Sequence, residues 1–316
     1  MIRSMFSAVS GLRAHQSKMD VIGNNIANVN TYGYKPGRVT FKESIYQTTY
    51  NSAEGNDVYG GQNPSQIGYG AQIGGITLDF NPGSYEPTGY GTDVMISGNG
   101  FFLVGPKLDA NAGNGIINSD DDTNNLSTLK LTRVGAFSID GDGYLVDENR
   151  NVVYGFYTDD GNPVLGTGEF VPNEDNLKPI RLPLADGTGG ADGAIDEEMM
   201  TLGQISIDSN GILTGKGPDG TYKIAQIALC NVPNPNALEK MGDSYYQAVN
   251  NTGDLRAYVP GEGSTSMLLT GGLEMSRTDL STELSNMIIA QRGFQANTKM
   301  MTVSDEMLQD LINMKR

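Results

Sequence analysis

Two acidic stretches, "SDDDTNN" at 119–125 and "DGDG" at 140–143, are the first residues here whose spacing could do chemistry. Carboxylates at this density hold calcium when a loop repeats Asp-x-[Asp/Asn]-x-[Asp/Asn]-Gly and closes on a bidentate Glu. Neither stretch supplies that pattern, so turn chemistry and solvated loop account for both. "GILTGKG" at 211–217 lacks the spacing and the Ser/Thr of a phosphate-cradling loop, and "GYGAQIGG" at 68–75 misses the dinucleotide fingerprint. The chain has one His and one Cys. His15 lies on a helical seam with no carboxylate or Cys partner nearby in sequence, so it reads as a packed or interface residue. Cys230 ends the apolar run "IAQIALCNV" and reads as a small buried hydrophobe. No nucleophile–base set emerges. The reading is of a protein that is not an enzyme, with no catalytic, cofactor-binding or metal-ligating residue to assign.

The elements that would position any site fall into three zones. In the first, Met5, Leu12, Met19 and Ile26 recur every seven residues, and Ala8, His15, Ile22 and Val29 follow each by three. That is the seam of a heptad helix. Gly11 and Gly23 each weaken it by about 1 kcal/mol relative to Ala, so it needs a partner to fold stably. The last zone offers one, with Leu280, Met287, Phe294, Met301 and Leu308 again seven apart and Leu284, Ala290, Gln291, Leu311 and Ile312 widening the stripe. Thr278 or Ser281 is expected to cap this helix, with Asp279 and Glu283 facing its dipole. The two helices are expected to pair as a coiled coil.

Residues 39–272 are different material, rich in Gly, Asn, Asp and Thr with short apolar runs between turn signals. This predicts an all-β body, barrel-like or sandwich-like. "FSIDGDGYLVD" (137–147) and "ISIDSNGILTG" (205–215) repeat each other, and each predicts a hairpin closed by a glycine-containing turn. The expected division is therefore a helical domain from 1–38 plus 273–316, a β body from 39–155 plus 204–272, and a small inserted outer β domain at 156–203. That insertion gathers Asp159, Asp160, Asp186, Asp192, Asp196, Glu197 and Glu198, too concentrated to bury against one another.

Between the first helix and the body stand Asn24, Asn25, Asn28 and Asn30, then Tyr32, Gly33 and Tyr34. Asn is a poor interior helix residue because its amide competes for backbone groups. These asparagines are expected to satisfy orphan groups at the helix end and to tolerate left-handed backbone, with Gly33 relieving the next turn and the tyrosines anchoring the linker. The chain carries a formal net charge of −16, concentrated in its middle, which argues against nucleic acid and anionic membrane as partners. No run of 18 apolar residues and no signal-peptide core is present, so neither membrane insertion nor signal cleavage is expected.

"SGLRAHQSKMDVIGNNIANVNTYGYK" strongly resembles the N-terminal signature of the bacterial flagellar axial proteins of the rod and hook. "ELSNMIIAQRGFQANTKMMTVSDEMLQDLINMKR" resembles their C-terminal segment, and "DVMISGNGFFLV" with "LTRVGAFSIDGDGYLV" resembles their β core. Within that family the hook branch is the most similar and the distal rod branch the alternative; an extracellular β-rich hydrolase or adhesin is the rival from another class. The resemblance implies a non-enzymatic subunit, exported without signal cleavage to the extracellular hook. It would polymerise into a hollow curved tube that joins rod to filament and transmits torque. Its partners would be copies of itself, neighbouring rod, hook-cap and hook–filament junction proteins, and the export apparatus. The apolar residues of both heptad seams, Met5, Leu12, Met19, Ile22, Ile26, Leu280, Leu284, Met287, Phe294, Met301 and Leu308, would then form subunit contacts. Some members crosslink subunits through Cys and Lys, and Lys216 and Lys223 are near Cys230 in sequence, but the apolar run before Cys230 argues for an inert buried thiol.

Overall fold

The computed structural model describes residues 2–55, 60–107, 126, 129–157, 164–165, 177–182, 205–217, 220–261 and 266–314. The acidic stretch at 119–125 and all the acidic side chains named in the 156–203 insertion lie outside them. The chain divides into two compact units. The first comprises Met1–Val29, Lys35–Asp79 and Thr278–Arg316, and the second Asn30–Tyr34 and Phe80–Arg277. The segment 39–79 is thus grouped with the terminal helices.

In the first unit, helix α1 spans Ile2–Ala27 and helix α2 spans Leu280–Met314. Both run through the heptad seams, because those apolar residues need a helical face to share. α2 starts on Asp279 instead of Thr278 or Ser281. The Asp279 carboxylate accepts the Ser281 N–H at 3.0 Å and the Thr282 hydroxyl at 2.6 Å. Those two bonds, the hydroxyl's first, hold its pKa below the usual carboxylate value. Asp outranks Thr as a cap because a charged oxygen accepts first-turn amides more strongly. Strand Gly37–Glu43 pairs antiparallel with Ala71–Leu78, and Tyr46–Tyr50 pairs with Ser65–Gly68.

The second unit is built on one large sheet whose every described pairing is antiparallel. Its main path runs through strands 205–207, 212–217, 220–227, 152–156, 101–105, 130–132, 245–247 and 239–242. Phe101–Gly105 and Val152–Phe156 are buried at every position, as expected of central strands covered on both faces. The core gathers on them, with Val94, Ile96, Phe102, Val104, Val153, Ile227 and Leu229. The expectation of a barrel is corrected: among the described residues the path ends on two different edge strands and does not close. Closure needs strands of matched length and constant shear, and these range from two to eight residues with several side branches.

The two repeats do form matching hairpins. Ser138–Ile139 pairs with Leu145–Val146, and Ile205–Ile207 pairs with Ile212–Gly217. In each, a glycine at positive φ (Gly143 at 81°, Gly211 at 76°) donates its N–H to the carbonyl of the Asp three residues earlier. Glycine is needed there because a Cβ disfavours that backbone. The described parts of the 156–203 insertion add to the same sheet, residues 164–165 against 222–223 and 177–179 against 154–156.

Candidate functional site

The chemistry-bearing residues do not converge. Among the described residues no group of three or more His, Cys, Asp or Glu could hold a metal. The 140–143 stretch is a hairpin turn. Cys230 is fully buried within strand Leu229–Asn231, and burial pushes its thiol up to about 12. A thiol held neutral at that level is a poor nucleophile. What the molecule does organise is its two terminal helices and the linker that leaves them.

α1 and α2 run antiparallel, and three side-chain contacts set their register. A methyl at Gly11 would lie 2.8 Å from Asn297 Nδ2, and one at Gly293 would lie 2.5 Å from His15 Cε1 and Nε2. The Asn25 amide donates to Glu283 Oε1 at 3.1 Å. The residue numbers in each pair add to the same total, as a straight antiparallel alignment requires. Gly11 and His15 on α1 are matched by Gly293 and Asn297 on α2, so each helix offers one notch and one filler four residues apart. The glycines that weaken each helix alone are what let the two approach. His15 packs its ring on Gly293 and meets Phe41 edge-on, at 5.8 Å between centroids.

Burial along the seams is uneven. Ile22 is buried, while Met5, Leu12, Met19 and Ile26 are half-buried. On α2, Met287, Phe294, Met301 and Leu308 are half-buried, but Leu280 and Leu284 stay exposed. The buried α2 positions are Ala290 and Ser304, joined on α1 by Ala8, Ala14 and Asn25. Ala8 and Ala290 were already on the expected seams, whereas Ala14 and Ser304 lie off the apolar repeat and become visible only once the helices are packed.

α2 also carries a second apolar face. Ile289, Met300, Val303, Met307, Leu311 and Met314 are all exposed, and their spacing sets them along one side of the helix. Leu284 and Ile288 extend the uncovered area near its start. Beside α1 lies a groove of about 650 Å³ between the helix and the strand region, lined by Phe6, Val9, Arg13, Tyr69 and Ile73.

The asparagines divide their work differently from the expectation. Asn28 acts at the helix end, its amide donating to the Asn24 carbonyl at 2.9 Å. Asn25 is 1% exposed and instead clasps the chain twelve residues on, donating to the Gly37 carbonyl (2.9 Å) and accepting the Gly37 N–H (3.0 Å). It pins the start of strand Gly37–Glu43 to α1. None of the four has positive φ; only Gly33 in this stretch does, at 65°. Asn24 and Asn30 are exposed.

Residues 30–34 belong to the second unit, where four interactions hold them. The Gly33 N–H donates to the Glu274 carbonyl at 2.8 Å, and the Arg277 N–H donates to the Tyr34 carbonyl at 3.5 Å. Lys240 Nζ sits 4.6 Å above the Tyr34 ring. Tyr32 bonds Glu86, and that neighbouring charge raises the phenol's pKa above its ordinary value. A methyl at Gly33 would stand 3.1 Å from the backbone of Arg133 and Val134. Gly33→Ala is therefore expected to lower the second unit's stability by about 1–2 kcal/mol, the cost of left-handed backbone for a residue with a Cβ. Urea denaturation followed by tyrosine fluorescence checks this, and an unchanged midpoint would contradict it.

Beneath Gly33 lies a buried ion pair that sequence reading missed. Arg133 and Glu274 have side chains 1% exposed, with Nη1 and Oε2 3.5 Å apart. Glu274 Oε1 also accepts the Gly83 N–H at 2.7 Å, and the Arg133 guanidinium lies 5.2 Å from the centre of the Phe101 ring. Burial lowers the Arg133 pKa, and Glu274 opposes that shift.

Two family models match the ends of the chain: "Flagella basal body rod protein" over residues 5–35 and "Flagellar basal body rod FlgEFG protein C-terminal" over 269–314. The chain is 36% identical to the flagellar basal-body rod protein FlgG of Bacillus subtilis over 317 residues, covering 100% of both chains. It is 30% identical to FlgG of Borreliella burgdorferi over 320 residues, again covering 100% of both. Against the flagellar hook protein FlgE of Borreliella burgdorferi the identity is 28% over 462 residues, with 100% of each chain covered. The matched terminal segments are the ones that form α1, α2 and the linker, and the chain belongs to the flagellar rod and hook axial protein family.

Proposed function

We infer that this protein is the repeating subunit of the flagellar hook, polymerising into a hollow curved tube that joins rod to filament. The observation that carries the polymer is the second apolar face of α2, from Ile289 to Met314, which a single copy leaves in water. Head-to-tail assembly needs two different surfaces on one subunit, and the first unit has a ridge in this face and a hollow in the groove beside Phe6. The ridge of one copy seating in the hollow of the next repeats without closing. On this reading α1 and α2 wind as a two-stranded coiled coil, and the heptad residues on both helices contribute to subunit contacts. The hook assignment rests on the likeness of the terminal segments and on the acidic insertion at 156–203, which would form a small outer domain. The partners would be further copies, neighbouring rod, hook-cap and junction proteins, and the export apparatus.

A distal rod subunit is the second reading, favoured by the 36% identity to a rod protein along the whole chain. The hook alignment supports it too, since 462 aligned positions against 316 residues leave a long part of that hook protein without a counterpart here. Electron microscopy of the concentrated protein separates the readings. Curved tubes are the expected result, straight ones would assign it to the rod, and particles that never associate would overturn the polymer.

A further inference from the structure

Two Asn–Gly pairs lie within the described residues, and the fold treats them in opposite ways. In Asn210–Gly211 the Gly211 N–H donates to the Asp208 carbonyl at 2.8 Å, and the Asn210 carbonyl accepts from Gln226 at 2.7 Å. This pair is clamped in the second hairpin turn. Asn99–Gly100 joins strand Val94–Ile96 to strand Phe101–Gly105. Asn99, like Asn210, is exposed with a buried glycine after it, but it stands between Gly98 (φ 131°) and Gly100 (φ 128°). With no Cβ on either side, no side chain of a sequence neighbour crowds it. Bonds to Met267 and Ile96 hold Ser97 and Gly98, but among the described residues neither the Gly100 N–H nor the Asn99 amide has a partner.

We propose that Asn99 is a site of spontaneous covalent modification, deamidating through a cyclic imide while Asn210 is protected. Gly100 is buried, so its amide loses its proton to base when the turn opens, and its nitrogen then bonds to the Asn99 Cγ. The C–N bond of the side-chain amide breaks and the nitrogen leaves as ammonia. Water then opens the five-membered imide at either carbonyl, giving aspartate or isoaspartate, so one water is consumed and one ammonia released. An amide already in a hydrogen bond must break it before its nitrogen can turn onto the side chain. Gly211 has that bond to break. Both products add a negative charge at the surface, and isoaspartate also lengthens the backbone next to Phe101, which is 3% exposed in the core.

The test is to age the full-length protein at mildly alkaline pH and map its peptides by mass, labelling isoaspartate with the repair methyltransferase. The peptide holding Asn99 is expected to convert several-fold faster than the one holding Asn210. Comparable rates in the folded protein would overturn the proposal. In denaturant the two are expected to converge, and a preference that survives unfolding would trace the effect to flanking sequence and also overturn it.

Discussion

Met300→Asp is expected to leave a folded subunit that no longer assembles. Met300 is 53% exposed in a single copy, so a carboxylate there meets water and costs the subunit only the lower helix propensity of Asp, under about 1 kcal/mol. In a tube the same carboxylate would be buried without a partner, at several kcal/mol for each contact, and the contact recurs at every subunit. Circular dichroism should be unchanged while sedimentation and microscopy show the loss of tubes. Phe294→Asp makes the contrast. Phe294 is half-buried beside the Gly293 notch, so that substitution should disturb the subunit itself. Normal tubes from Met300→Asp would show that the exposed face of α2 is not a subunit contact.

Arg133→Met is expected to cost the second unit about 3–5 kcal/mol, because it strands the Glu274 carboxylate in the core. That is a large part of a domain's usual margin of about 5–15 kcal/mol. Glu274→Leu alone should do similar damage by leaving the guanidinium unpaired and removing the acceptor of the Gly83 N–H. The double substitution should recover much of the loss, since apolar residues of similar size often replace buried pairs without cost. Urea denaturation of all four proteins yields the coupling energy. Single substitutions costing under about 1 kcal/mol would mean that the pair is solvated or dispensable.

The linker carries the consequence of this pair for assembly. Gly33 bonds the Glu274 backbone and closely approaches the backbone of Arg133, so the segment leaving α1 rests on the ion pair. Losing the pair should loosen residues 30–34 before it unfolds the sheet, and hydrogen exchange at Gly33 would report it first.

Both helices and the two hairpins were legible in the sequence because their signals are local. Seven-residue spacing of Met5 to Ile26 and of Leu280 to Leu308 fixes a helical face through backbone geometry alone. In both repeats an Asp followed three residues later by Gly closes the turn, and the apolar run before Cys230 already implied its burial. The tertiary structure decided the register of α1 against α2, the clasp of Asn25 on Gly37, the open path of the sheet and the meeting of Arg133 with Glu274. In each, one of several chemically suitable partners was chosen by steric fit across a long stretch of chain. Gly11 and Gly293 read as weak points until their partners occupy the space a Cβ would fill. Arg133 is an ordinary basic residue until folding removes it from water and leaves Glu274 to balance its charge. Local spacing constrains neighbouring backbone, but no sequence interval specifies which distant side chain fills a notch or neutralises a charge.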